Sequence, residues 1–227
     1  MNPDNPFDLI VFDWDGTLMD SAAAIVLAIQ SASRDLGVPP PTEEAARHVI
    51  GLGLLEAMQY LTPNMPAHWY PKMAERYRHH YFSSNHDILL FPGVERLLAD
   101  LRQAGFTLAV ATGKTRAGLE SALDNFTLRD YFAATRTASE CPSKPHPTML
   151  LELMEELSIT PDRVVMIGDT THDLLMAVNA GCAGVGVTYG AHPKAALMAT
   201  QSLFCADSVQ ELSDWCLAQA APERLAY

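Results

Sequence analysis

The segment FDLIVFDWDGTL, residues 7–18, decides the fold. Its first half, Phe7–Phe12, is a largely apolar run with the length of a buried β-strand. Asp13 and Asp15 follow the run directly, and Gly16 is suited to a tight turn. The segment therefore predicts a strand that delivers two carboxylates to one end of a sheet.

Further apolar runs of the same kind recur along the chain, and helical patterns separate them. The strands are predicted at Phe106–Thr112, Arg163–Asp169 and Ala183–Tyr189, with weaker ones at Ala133–Thr137 and Leu203–Ala206. The helices are predicted at Glu95–Ala104, Arg116–Asn125, Pro147–Leu157 and His172–Ala180. Alternating strands and helices of these lengths indicate an α/β fold with a doubly wound, Rossmann-like parallel sheet.

A block without strand signals separates the first strand from the rest of the sheet. Three helices are predicted in it, at Ser21–Leu36, Glu43–Met58 and Pro66–Ser83, with Asp20 or Ser21 as the first N-terminal cap. We therefore expect an α/β core domain made of residues 1–18 and 89–227 and an inserted all-helical cap domain at residues 19–88. The connections Thr17–Asp20 and Ile88–Phe91 are the expected hinges.

Charge and composition narrow the function classes. The chain has 227 residues, 48% of them hydrophobic, and a net charge of −12, which disfavours nucleic acids and anionic membranes as partners. Its four cysteines are scattered, so free thiols are expected rather than a zinc site. The first residues lack the basic and apolar regions of a signal peptide. We expect a cytoplasmic protein, monomeric or homodimeric, that acts on a small molecule.

Four clusters of polar residues lie at the ends of the predicted strands. The carboxyl ends of the strands form the ligand-binding crevice in open α/β sheets. Each cluster has a chemical use. A carboxylate of the first can attack phosphorus while the other exchanges protons, and Thr-Gly at a helix start can hold phosphate oxygens. A lysine can balance the charge, and paired acids after a strand suit Mg²⁺. The clusters are Asp13 with Asp15, Thr112-Gly113-Lys114, Lys144 in SKPHP, and Asp169 with Asp173.

Each cluster alone also has a simpler interpretation. Asp15-Gly16 is a common turn, Thr112-Gly113 a common helix start, Lys144 an ordinary surface lysine, and Asp169 or Thr170 a helix cap. The combination and its order favour a functional site over four coincidences.

The ordered motifs VFDWDGTL, VATGK, SKP and IGDTTHD resemble those of the haloacid dehalogenase-like superfamily. FDWDGTLMDS, LFPGV, SKPHP and AVNAGC are most similar to its phosphoglycolate phosphatase-like branch, which has a helical cap. The resemblance implies a Mg²⁺-dependent phosphomonoester hydrolase acting on a small phosphorylated metabolite through an aspartyl-phosphate. It implies these roles: catalysis by Asp13, Asp15 and Lys144, phosphate binding by Thr112, Gly113 and Lys144, and metal binding by Asp13, Asp15, Asp169 and Asp173.

The superfamily also includes other activities. A sugar phosphomutase would keep the same core motifs and is the alternative hardest to exclude, and a catalytically silent binding protein is a more distant one. Asp15 argues against a dehalogenase, whose leaving group needs no acid. In the cap, the loop Gly51–Gly53 is expected to reach over the site, and Arg47 and His48 are either substrate contacts or solvated helix surface. His172 is expected on a half-exposed helix surface.

Overall fold

One sheet of six parallel strands organises the computed structural model, which describes residues 6–83 and 88–220. The order of the strands is β3-β2-β1-β4-β5-β6. In chain order they are β1 (Leu9–Phe12), β2 (Thr107–Thr112), β3 (Ala134–Thr137), β4 (Val164–Gly168), β5 (Ala183–Val187) and β6 (Phe204–Ala206). All six strand predictions are confirmed, with boundaries that differ by two residues at most.

The order of the strands places β1 at the centre of the sheet. From β1 the chain builds outward to β2 and β3 on one side, and β4 to β6 then extend the other side. Phe12 pairs with Val110 of β2 and with Ile167 of β4. The direction of strand addition therefore reverses between β1 and β4, and ligands of doubly wound sheets bind at the carboxyl ends of the strands at such a point.

Ten helices cover the sheet or extend from it in the described part of the chain. They are α1 (Ala22–Asp35), α2 (Glu43–His48), α3 (Leu54–Leu61), α4 (Tyr70–Ser83), α5 (Val94–Gln103), α6 (Arg116–Asn125), α7 (Thr148–Leu157), α8 (Thr171–Ala180), α9 (Lys194–Met198) and α10 (Val209–Ala218). The short α9 and the longer α10 follow β5 and β6, where the sequence led us to predict no helix.

The two faces of the sheet belong to different hydrophobic clusters. Ile10 and Phe12 face the cluster that includes α5, α6 and α10, whereas Leu9 and Val11 face the one that includes α7 and α8. Alternate residues of a strand point to opposite faces, so every residue of β1 is buried on one side or the other. This double burial explains why the strand is apolar throughout and was predictable from sequence.

The four helices α1–α4 form the helical insert that the sequence predicted between β1 and β2. The expected helix Glu43–Met58 is wrong, because α2 and α3 are separate and the loop 49–53 lies between them. Gly51 has a φ of +92°, in the left-handed region that ends a helix, and Gly53 is extended. The expected helix Pro66–Ser83 begins with a 3₁₀ turn at Ala67–Trp69. Helix α1 packs along α4.

Two chain segments join the insert to the sheet, and they run side by side. The Asp20 amide donates to the Leu89 carbonyl at 2.9 Å, and the Phe91 amide donates to the Leu18 carbonyl at 3.0 Å. Met19 and Leu90 form an antiparallel bridge between these bonds. Both predicted hinge segments therefore lie in one two-stranded connection. The outer limits of the predicted core domain, residues 1 and 227, lie outside the described residues.

Candidate active site

Asp13 and Asp169 lie side by side at the point where strand addition reverses. Asp13 is the first residue after β1, and Asp169 is the first after β4. The Asp13 amide donates to the Ile167 carbonyl at 2.9 Å, which continues the pairing of the two strands. Both carboxylates are fully buried. The sheet itself therefore holds two of the predicted site residues next to each other.

The Asp13 carboxylate is buried but remains chemically available. Lys144 Nζ lies 2.7 Å from Asp13 Oδ1 as an ion pair. Among the described residues, no group gives either Asp13 oxygen a hydrogen bond of good geometry. Burial raises the pKa of Asp13 to about 7, against the opposing effect of Lys144, and the carboxylates of Asp173 and Asp15 raise it further. Lone pairs of this carboxylate are thus free to bind a cation or attack an electrophile.

Lys144 is the buried cation of the site. Its Nζ donates to Asp173 Oδ1 at 2.6 Å and lies beside Asp13, and the residue is only 2% exposed. Burial alone would lower the pKa of Lys144, but the two neighbouring carboxylates outweigh burial and raise it. Lys144 is therefore charged at neutral pH, and it is not the surface lysine that a Pro-rich loop favours.

Asp169 is held rigidly from two sides. The Thr17 hydroxyl donates to Asp169 Oδ1 at 3.0 Å, and the Ala191 amide donates to Oδ2 at 2.7 Å. Gly16, with a φ of +80°, packs so closely that a β-carbon there would overlap the Asp169 carboxylate. Burial raises the pKa of Asp169 well above its usual range, and the charges of Asp13 and Asp173 add to this effect. The fold therefore keeps an acid here at an electrostatic cost.

Asp173 makes hydrogen bonds to two residues, Thr170 and Lys144. Its Oδ2 accepts from the Thr170 amide at 3.1 Å and from the Thr170 hydroxyl at 2.6 Å, which forms a capping box at the start of α8. Its other oxygen accepts from Lys144. Capping of α8, expected from Asp169 or Thr170, is done by Thr170 together with Asp173. Asp173 thus fixes the position of the Lys144 ammonium.

These acids form a group that can hold a metal ion. One carboxylate oxygen each from Asp13, Asp169 and Asp173 lies within 4.8 Å of the others. Three buried carboxylates face the single ammonium of Lys144, so the group carries excess negative charge. Hard divalent cations prefer such oxygen ligands, and the unbonded oxygens of Asp13 offer them. The donor set therefore fits a divalent cation.

Asp15 lies beside Asp13 but has its own partners. Its Oδ1 accepts from the Ser21 hydroxyl at 2.7 Å and lies 3.0 Å from Lys114 Nζ. Of the two expected caps, Asp20 and Ser21, it is Ser21 that occupies the N-cap position of α1, but its side chain makes no capping hydrogen bond. Lys114 Nζ also donates to the Tyr81 hydroxyl of α4 at 3.2 Å. Sequence reasoning missed the roles of Ser21, Lys114 and Tyr81, which contact Asp15 only through the tertiary fold.

Thr112 ends β2 on the other side of Asp13, and Gly113 follows it. Thr112 is buried, and its hydroxyl accepts from the Lys114 amide at 3.3 Å. Gly113 meets the loop 49–53 of the helical insert, where a β-carbon on Gly113 would lie 2.5 Å from the Leu52 carbonyl oxygen and 2.6 Å from that of Gly51. The expected approach of this loop to the site is confirmed, and only a glycine fits beneath it.

A second contact between the insert and the sheet involves histidines. His172 Nε2 donates to the main-chain carbonyl of His48 at 2.7 Å, and His192 Nε2 donates to the same oxygen at 3.2 Å. Burial lowers the pKa of His192 to about 4, and the neighbouring His172 lowers it further. His172 is half-buried, as expected, but it packs against the insert. Arg47 pairs with Glu43 at 2.9 Å on the outer surface of α2.

Comparison with known proteins agrees with this geometry. The family model described as haloacid dehalogenase-like hydrolase matches residues 10–187, which span β1 to β5 and include every acid described above. The chain belongs to the haloacid dehalogenase-like hydrolase family. The family predicted from the four motifs is thus confirmed.

Relatives in this haloacid dehalogenase-like family cover nearly the whole chain. A phosphoglycolate phosphatase of Vibrio vulnificus is 35% identical over 93% of this chain and 97% of its own. A protein of Dickeya dadantii named a probable phosphatase, IndB, is 38% identical over 90% of this chain and 91% of its own. A crystal structure described as a predicted phosphatase from Clostridium acetobutylicum has a TM-score of 0.83 at 26% identity, over 93% of this chain and 99% of that one.

Family and relatives together define the enzyme class. The haloacid dehalogenase-like chain described here is a phosphatase, and the sugar phosphomutase alternative is not better supported. The four cysteines carry free thiols, as expected. Within residues 6–83 and 88–220, no helix combines the length and the apolar character that crossing a membrane requires.

Proposed function

We propose that the chain hydrolyses phosphate monoesters of small metabolites through an aspartyl-phosphate on Asp13, with Mg²⁺ as its metal. The observation that carries the proposal is the state of the Asp13 carboxylate. It is fully buried beside the Lys144 ammonium, yet its oxygens accept no hydrogen bond of good geometry from the described residues. A carboxylate that is held in place but not engaged is suited to nucleophilic attack.

In the first step, an oxygen of Asp13 attacks the phosphorus atom of the substrate. The bond from phosphorus to the ester oxygen breaks, and the proton of the Asp15 carboxyl group passes to that oxygen, so the alcohol leaves uncharged. The products are the alcohol, the aspartyl-phosphate and the Asp15 carboxylate. Ser21 and Lys114 hold the Asp15 side chain in position for this transfer.

In the second step, the Asp15 carboxylate takes a proton from water as the water oxygen attacks the same phosphorus atom. The bond from phosphorus to Asp13 breaks, which releases inorganic phosphate and restores both side chains. One residue acts first as acid and then as base, which requires that it stay beside the reacting atoms in both steps. The ion pair of Asp15 with Lys114 and the hydrogen bond from Ser21 supply that restraint.

Charge on the transferred phosphoryl group is met by Lys144 and by the end of β2. Lys144 Nζ lies 2.7 Å from the attacking carboxylate and is oriented by Asp173. The Thr112 hydroxyl and the Gly113 amide bind phosphoryl oxygens in this proposal. Phosphoryl transfer depends chiefly on positioning and on electrostatic stabilisation, so these fixed groups account for much of the rate.

Asp13, Asp169 and Asp173, with the main-chain carbonyl of Asp15, would hold the Mg²⁺ ion. When bound, Mg²⁺ neutralises negative charge on the carboxylates and on the phosphoryl oxygens. Asp169 is the best-placed ligand beside Asp13, because its two hydrogen bonds fix it and one of its oxygens lies within 4.8 Å of the ligand oxygens of Asp13 and Asp173. Asp173 has a second role, because it also holds the Lys144 ammonium in place.

We further propose that residues 1–18 and 89–227 are the core domain and that residues 19–88 are a cap that opens to admit substrate. The paired connections at Met19 and Leu90 are the hinge. Gly113 beneath the loop 49–53 and the two histidines on the His48 carbonyl are the contacts made on closing. Closure would exclude bulk water from the aspartyl-phosphate.

Phosphoglycolate is the first substrate to test, because relatives named for it match this chain. The assay measures phosphate released from phosphoglycolate and from an aryl phosphate, with Mg²⁺ or with a chelator, and uses Asp13→Asn as the matched inactive control. Single turnover in ¹⁸O-water, followed by mass spectrometry, should place the label in inorganic phosphate and leave Asp13 unlabelled, because water attacks phosphorus and the oxygen of the broken bond stays on Asp13. Release equal to that of Asp13→Asn would refute the proposal and favour a silent binding protein.

A further inference from the structure

A cavity extends from Asp13 and Asp15 into the helical insert. Its volume is about 290 Å³, and α1, α3, α4 and the loop 49–53 enclose it from above. Small-molecule pockets occupy roughly 300–1,000 Å³, so this one is near the lower end of that range. It is nevertheless much larger than a two-carbon acid needs. The part of a substrate beyond its phosphate therefore has room inside the protein.

The walls of this cavity are apolar. Ile29 of α1, Ile50 of the loop and Met58 of α3 are each at most 3% exposed and line it, together with Tyr77 and Tyr81 of α4. The two tyrosine rings stack with 5.7 Å between their centroids and 18° between their planes. Such a lining rewards the transfer of hydrocarbon from water and offers aromatic faces to a flat group.

Positive charge is scarce around the cavity. Among the described residues that line it, Lys114 and Arg78 alone carry a formal positive charge. Lys114 already pairs with Asp15 and donates to Tyr81, whereas Arg78 is exposed. A substrate carboxylate in the apolar part would lose its hydration without gaining a buried cation, which is unfavourable.

We propose that this phosphatase selects monoesters whose alcohol is an uncharged, largely apolar group several carbons larger than glycolate. The inference rests on the proposed function, because it concerns the leaving group of that same reaction. Each methylene taken into the cavity should raise kcat/KM about fourfold, which corresponds to the usual transfer free energy of a buried methylene. The gain should end when the alkyl chain of the substrate fills the space between Asp15 and Met58.

The test uses alkyl phosphates, because their leaving alcohols have similar basicity and differ mainly in size. Phosphate release with Mg²⁺ is measured for ethyl, butyl, hexyl and 2-phenylethyl phosphate and for phosphoglycolate. The expected result is a kcat/KM that rises along the series and exceeds that of phosphoglycolate for the longer members. A flat series, or phosphoglycolate as the best substrate, would overturn the inference while leaving the phosphatase proposal intact.

Two variants locate the effect in the cavity. Ala57→Leu adds side-chain volume at a buried position of its lining, and it should lower the ratio of the hexyl to the ethyl kcat/KM by at least about fourfold. Gln59→Leu introduces the same side chain on the exposed side of α3 and should keep the wild-type ratio. An equal fall in both variants would contradict the assignment, as would an unchanged ratio in Ala57→Leu.

Ile25→Ala provides the converse test, and it serves even if Ala57→Leu does not fold. The substitution enlarges the cavity at α1, so the ester with the highest kcat/KM should have a longer alkyl chain than it has with the wild type. The same optimum as wild type in a folded Ile25→Ala protein would overturn the inference. Failure of every ester to release phosphate above the Asp13→Asn background has a different meaning, because it would refute the proposed function and this inference together.

Discussion

Replacement of Asp169 by asparagine tests the metal site without changing the shape of the side chain. Asparagine can accept from the Ala191 amide with its oxygen and donate to the Thr17 hydroxyl with its nitrogen, so both existing contacts can be kept. What is lost is one of three buried negative charges around one buried ammonium. The change therefore isolates the charge of Asp169 from its packing.

Two opposite effects on stability follow from that charge. Without metal, Asp169→Asn should stabilise the fold, because burial and the charges of Asp13 and Asp173 raise the pKa of Asp169 and so disfavour its ionised form in the folded state. With Mg²⁺ at about 100 times its Kd, the wild type should gain about 2.7 kcal/mol by linkage. For a chain of this size that is roughly a 5–11 °C rise in Tm.

The assay is thermal unfolding followed by circular dichroism, first in chelator and then in saturating Mg²⁺. Wild type should show the Mg²⁺-dependent rise in Tm, and Asp169→Asn should show a higher Tm in chelator and little further rise. Asp214→Asn, a charge loss at an exposed position of α10, should behave like the wild type. A full Mg²⁺ shift in Asp169→Asn would refute the placement of the metal at these acids.

Four further changes probe the rest of the site. Asp13→Asn should lower phosphate release by at least about 10⁴-fold, with folding checked by its Tm. Asp15→Asn should lower kcat/KM, which reports the first step, about 10²–10⁴-fold with alkyl phosphates and much less with an aryl phosphate, whose leaving group needs no proton. Its kcat should fall with both esters because the second step loses its base, and near wild-type kcat/KM with alkyl phosphates would refute the acid role. Lys144→Met should destabilise the protein by about 3–5 kcal/mol in urea unfolding, since it leaves two buried carboxylates without their cation. Gly113→Ala should raise KM and lower kcat together because its β-carbon meets the Leu52 carbonyl; unchanged kinetics would contradict closure of the insert there.

The parts of the fold that were predictable from sequence are those in which one physical requirement acts along a continuous stretch. A strand covered on both faces must be apolar throughout, so β1, β2, β4 and β5 are visible as apolar runs. Parallel strands bring their carboxyl ends to one edge, so the residues after those runs had to converge. The arrival of Asp13 and Asp169 at the same end of the sheet follows from these two facts, whereas their adjacency also requires the pairing of β1 with β4.

Contacts between distant segments were not predictable in this way. The division of Glu43–Met58 into two helices falls at the loop of Gly51, which has a positive φ and packs over Gly113 of the distant β2 end. Ser21 looks like a helix cap in sequence, and its use by Asp15 depends on how α1 leaves the sheet. His192 follows no strand directly and has no motif, yet it meets the insert at the His48 carbonyl.

Lys114 shows how the two halves of the molecule divide the chemistry. It follows β2 in the sheet, contacts the proposed acid Asp15 and donates to Tyr81 of the helical insert. The surroundings of Asp15 are therefore complete only when α4 lies over the sheet. Reaction type depends on acids that the sheet fixes, whereas substrate choice depends on side chains of the insert that line the cavity. Relatives that share the motifs at the sheet edge are accordingly a better guide to the reaction of this chain than to the alcohol it releases.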